Sequence, residues 1–150
     1  MNKVLIIEMT LCAALATTSP NLAQAVELVN MEIETQSLNL DTGTVATASL
    51  LDPTQPSAVD IKLAYNADRA IHVVVVPAAA GVEIAFIANV GFDGVSLADV
   101  PALSFSAEAT DLPFSASDCV VIRTDQGALY RLGNAVENDL SVSFNYAALQ

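Results

Sequence analysis

The chain has 150 residues, 17 acidic and 5 basic, for a formal net charge of −12. Apolar residues make up 53 % of it, and the mean hydropathy is +0.51. That length holds one domain, the apolar content is too high for a disordered chain, and the charge repels nucleic acid and anionic membrane surfaces alike.

Residues 1–25, MNKVLIIEMTLCAALATTSPNLAQA, read as a signal peptide. Lys3 supplies the positive start, Val4 to Ala16 the apolar stretch, Ser19-Pro20 a helix break, and Ala23-Gln24-Ala25 an A-x-A cleavage site. The pattern predicts an exported protein, secreted or periplasmic, cut after Ala25, with a cut after Ala16 as the alternative. What remains is one β domain, residues 26–150. Leu11 before Cys12 is too large for a lipid-attachment motif. Cleavage removes one base, Lys3, and one acid, Glu8, so the net charge stays at −12. Cys119 is then the one cysteine left, and a hydrophobic core must hold the fold without a disulfide.

Strand signals follow along the chain. Met31–Leu40 and Thr44–Leu51 have strand character, and Asp52-Pro-Thr-Gln-Pro-Ser57 is a loop. Val59 to Tyr65 alternates apolar and polar residues. Residues 70–92 are the most apolar stretch, long enough for a membrane span. Pro77, Gly81 and Glu83 and the many β-branched residues predict instead two core strands joined by a turn, with no transmembrane segment. Leu97–Val100 suits one helical turn and Leu103–Glu108 a strand. Cys119–Thr124 and Ala128–Leu132 flank Asp125-Gln-Gly127, a three-residue loop that suits a hairpin with a left-handed glycine. At the end, Leu140, Val142, Phe144 and Tyr146 share one face of a strand. About eight or nine short strands with little helix predict an all-β fold, an antiparallel β-sandwich or open barrel.

Several of these segments, in order, match the pattern of a known family. They are Leu38-Asn-Leu-Asp-Thr-Gly-Thr-Val45 with Val59-Asp-Ile-Lys-Leu63, then Gly91-Phe-Asp-Gly-Val-Ser-Leu-Ala-Asp-Val-Pro101, Val120-Val-Ile-Arg-Thr-Asp-Gln-Gly-Ala-Leu-Tyr-Arg-Leu132 and Val142-Ser-Phe-Asn-Tyr146. Together they resemble the HmuY-like secreted bacterial proteins over residues 38–149. Val59 stands where that family carries tryptophan, and one extra residue separates Gly127 from Tyr130. The resemblance implies an exported, non-catalytic, ligand-binding β protein, with haem or another hydrophobic molecule as ligand. The alternative is a cell-surface structural or interaction module that meets a protein partner and holds no small molecule.

Haem needs an axial ligand and an apolar cleft. His72 and Met31 are the candidate ligands, and Arg131 beside Tyr130 is placed to meet a propionate. The competing role for Arg123 and Arg131 is pairing with nearby acids. No D-x-D-x-D-G loop is present, and Asp93, Asp99, Asp111, Asp118 and Asp125 read as turn residues, with calcium shared between loops left open. The chain lacks G-x-S-x-G, and its one Cys–His pairing after cleavage, Cys119 with His72, puts the thiol in an apolar strand. No catalytic site and no metal site are therefore expected. A hydrolase with an unrecognised pair of carboxylates is the third reading, to be marked by two close carboxylates of perturbed pKa inside a cleft.

Overall fold

The computed structural model describes residues 25–47, 59–66 and 73–150. Residues 1–24 of the expected signal peptide, residues 48–51 of the strand expected at Thr44–Leu51, the loop at 52–57 and His72 lie outside the described residues. Ten strands lie within them: β1 Glu27–Glu32, β2 Gln36–Asn39, β3 Thr44–Thr47, β4 Ile61–Tyr65, β5 Val73–Pro77, β6 Glu83–Ile87, β7 Thr110–Asp111, β8 Cys119–Arg123, β9 Leu129–Asn138 and β10 Ser141–Ala148. They form two five-stranded antiparallel sheets, ordered β1-β10-β9-β8-β6 and β3-β2-β4-β5-β7. The fold is an all-β sandwich. No helix among the described residues is long and apolar enough to cross a membrane.

Alternation builds the core. Val142, Phe144 and Tyr146 of β10 point inward with Val120 and Ile122 of β8, and meet Leu38, Ile61, Leu63, Val73 and Val75 from the facing sheet. Leu140, expected on the same face, lies just before β10 and is 73 % exposed, because the chain turns there through Asp139 at φ 52. The apolar stretch after residue 72 does make two core strands. They are not a hairpin, since β5 belongs to one sheet and β6 to the other, and the turn between them crosses the sandwich.

Two expectations need correction. Met31–Leu40 is not one strand. Glu34 takes a left-handed conformation, φ 69, and the chain changes sheets there, with Ile33 N donating to Leu140 O and Glu34 N to Leu63 O. Leu103–Glu108 is not a strand either. It makes only a bridge between Ser106 and Ile84, and the paired residues are Thr110–Asp111.

The connection between β6 and β7 holds two short 3-10 segments, Phe92–Gly94 and Leu97–Ala102, the second at the expected helical turn. It lies over the outer face of the β8 sheet. Val90, Val95, Val100, Leu103 and Phe105 pack there around Cys119 and Val121. Strand β8 is thus covered on both faces, which is why its sequence is an unbroken apolar run. Both hairpin arginines hold this strap. Arg123 lies 3.9 Å from the centre of the Phe105 ring and reaches Glu83 at 2.8 Å. Arg131 lies 4.7 Å from the Phe92 ring centre and donates to the Val95 carbonyl at 3.1 Å.

Candidate functional site

Three turns meet at one end of the sandwich. The first is the β2–β3 hairpin loop, where Asn39 Oδ1 accepts from Thr42 N at 2.8 Å and Gly43 takes φ 69. A side chain at Gly43 would be strained at that φ and would place its Cβ 2.9 Å from the Tyr146 hydroxyl, which would have to shift. The second is the entry to β4 at Asp60. The third is the β8–β9 turn, closed by Gly127 N donating to Thr124 O, with Gly127 left-handed at φ 81, as the three-residue loop predicts. The β5–β6 turn packs against it, with the Gly81 Cβ position 3.5 Å from the Asp125 Cβ, an ordinary contact, and glycine there serves the turn's φ of 90.

These turns bring Asp41, Asp60 and Asp125 together, with one carboxylate oxygen of each within 4.8 Å of the others. Asp60 is the structural member. It is 3 % exposed, and its Oδ2 accepts from Leu40 N at 2.7 Å. Its backbone joins the elements on either side, N–H to Leu38 O and C=O from Ala78 N. Burial raises its pKa against the opposing pull of the Leu40 N–H, and the neighbouring Asp41 and Asp125 charges raise it further. Asp41 and Asp125 are exposed. The Tyr130 hydroxyl donates to Asp41 Oδ1 at 3.0 Å. Burial, then that acceptor, pushes the Tyr130 pKa up to about 12. Beside the cluster, Asp41, Thr42, Gly43, Tyr130 and Tyr146 line an open cavity of about 400 Å³. The two tyrosine rings are 6.3 Å apart and tilted by 55°.

Thr124 completes the end. It is 1 % exposed, it follows Val120 and Ile122 on the interior side of the strand, and its Oγ1 has no hydrogen-bond partner. The next residue is Asp125.

Of the residues singled out in the sequence, the described ones, Met31, Tyr130 and Arg131, do not converge. Met31 has no exposed surface and packs inside the core. Tyr130 joins the acidic end, on the inner side of β9. Arg131 points to the opposite face, onto Phe92. Pairing with an acid holds for Arg123 and not for Arg131, whose partner is a carbonyl. Asp41 and Asp60 went unmarked in the sequence. Asp60 sits in an alternating stretch on the side of the half-buried Lys62 and Ala64, and only the fold shows its side chain turned back to Leu40 N. Of the three carboxylates Asp41 lines the cavity, and the buried Asp60 does not. Comparison of the chain with family models, with curated proteins and with solved structures finds no match in any of the three.

Proposed function

We propose that this chain is an exported, non-catalytic β-sandwich that serves as a binding module, and that its ligand meets the polar end formed by Asp41, Thr42, Gly43, Tyr130 and Tyr146. One observation carries the reading: the described residues between the sheets pack into one apolar core, while the β2–β3 loop of one sheet and residues of β9 and β10 of the other line an open polar cavity. A ligand of this protein is met at loop ends, the usual place for recognition on a rigid β scaffold. The HmuY-like resemblance supports the exported, ligand-binding class and supplies haem as the ligand to test against. Met31, the described axial candidate, is sealed in the core.

The chain has no tryptophan and three tyrosines, two of them in the cavity wall, so tyrosine fluorescence reports directly on the site. The purified protein is titrated with small polar ligands and with hemin. Ligands of the polar end change the tyrosine emission and raise Tm, and both responses shrink in Asp41→Asn. A saturating Soret shift with hemin that is indifferent to Asp41→Asn and Tyr130→Phe would overturn the reading in favour of a haem carrier.

A further inference from the structure

The acidic end holds more negative charge than its own residues balance. Three carboxylates approach within 4.8 Å, one of them buried. Among the described residues no lysine or arginine pairs with any of the three, the one ion pair being Arg123 with Glu83. Among the described residues the donors they receive are the Leu40 and Asp41 N–H groups on Asp60, the Tyr130 hydroxyl on Asp41 and a 3.3 Å contact from Gln126 to Asp125. A buried carboxylate in such company either takes a proton or is met by a cation.

A second observation separates these two. Thr124 is 1 % exposed, directly follows β8 and precedes Asp125 in the chain, and carries a hydroxyl oxygen with no partner. Buried polar atoms are almost always satisfied, so a hydroxyl with no protein partner is met by a water or an ion. A proton on Asp60 leaves that oxygen as it is. A metal ion, or a water on the metal, gives it a partner.

We propose that Asp41, Asp60 and Asp125 form a binding site for a divalent cation of the calcium class, with the Thr124 hydroxyl as a further oxygen partner. The inference rests on the binding-module reading and names the ligand class of its polar end. All the donors are hard oxygens, with no imidazole or thiolate among the group. That set suits calcium over zinc or copper. The ligands come from three separate turns, so the ion ties together the β2–β3 loop, the start of β4 and the β8–β9 turn. It would cross-link the two sheets at one end of the sandwich.

The test uses the full chain, stripped with EDTA. Calcium chloride is added and Tm followed, with magnesium chloride in parallel. A site filled at a hundred times its Kd should raise Tm by about 5–10 °C. Terbium chloride serves as the second probe, excited through tyrosine, because Tyr130 touches the ligand Asp41. Sensitised emission should grow on titration and be competed away by calcium. Asp125→Asn and Asp41→Asn, both at exposed positions, should fold and weaken the calcium response at least tenfold. Tyr130→Phe should lose the emission and keep the calcium-induced Tm rise. No Tm change with millimolar calcium and no sensitised emission, or the same responses in Asp125→Asn, would overturn the cation site. If polar ligands then still move the tyrosine fluorescence, the binding module stands without its cation; if they do not, both readings fall.

Discussion

Substituting Asp60 two ways separates its hydrogen bond from its charge. Asparagine keeps an oxygen for the Leu40 N–H, now 2.7 Å from Asp60 Oδ2, and replaces the charge by an amide that can donate to Asp41 or Asp125. Two carboxylates about 5 Å apart repel by roughly 3 kcal/mol at an effective dielectric near 20. Asp41 and Asp125 are exposed, so solvent and salt cut the net relief to about 1–2 kcal/mol. Asp60→Asn should therefore be more stable than the wild type by about that amount, in EDTA at pH 7 and low salt. Asp60→Ala gains the same relief but leaves the Leu40 N–H without an acceptor, so it should fall about 1–3 kcal/mol below the asparagine variant. Urea unfolding followed by circular dichroism measures both. Because the Asp60 pKa is raised in the folded state, the stabilising proton is held below pH 3.8 and lost as pH rises through the folded value. The gap between wild type and Asp60→Asn should accordingly close on acidification. An asparagine variant less stable than wild type in chelator, or no different from the alanine variant, would refute the reasoning.

At the alkaline end, burial raises Cys119 from 9.0 to about 11 and Tyr130 from 10.0 to about 12. The unfolded chain ionises first, so stability present below pH 9 should be lost as pH rises towards 11–12, and Cys119→Ala should flatten the thiol's part of that loss in pH-dependent urea unfolding. Gly133→Ala would set a Cβ 3.0 Å from Phe92 Cβ and 3.2 Å from Phe92 Cδ2, displacing the ring under Arg131. Thermal unfolding should show a loss of about 1–3 kcal/mol. Phe144→Ala, with no exposed surface, should cost about 3–5 kcal/mol, while Leu140→Ser at 73 % exposure should stay within about 0.5 kcal/mol in the same assay. At a net charge of −12, Tm should rise with sodium chloride between low and physiological ionic strength.

What could be read from the sequence was whatever repeats locally. Period two in Val142, Phe144 and Tyr146 marks a strand with one buried face, and the glycine three residues after Thr124 marks the hairpin. Which sheet a strand joins is not local. Val73–Pro77 and Glu83–Ile87 have the same apolar character, yet the first faces β4 and the second β8. The break at Glu34 was illegible because glutamate seldom takes positive φ; backbone bonds to Leu140 and Leu63 on either side hold it there. Leu103 and Phe105 carry the apolar pattern of a strand and use it as a cover for β8. The acidic end was the least legible, since Asp41, Asp60 and Asp125 lie in three turns far apart in sequence, and each alone is an ordinary turn or strand-entry aspartate.

The strap over β8 gives the molecule its own reporter. Cys119 is the one cysteine of residues 26–150, and it lies fully buried beneath the strap, on the face away from the inter-sheet core. A thiol reagent is expected to reach it when the strap lifts, with the inter-sheet core on the other face of β8 still packed. The rate of alkylation therefore measures the free energy of that local opening, separately from global unfolding. Weakening the grip of Arg131 on Phe92 should speed labelling while leaving the unfolding midpoint of the sandwich nearly in place, so one residue read by mass spectrometry can map two levels of stability in a single chain.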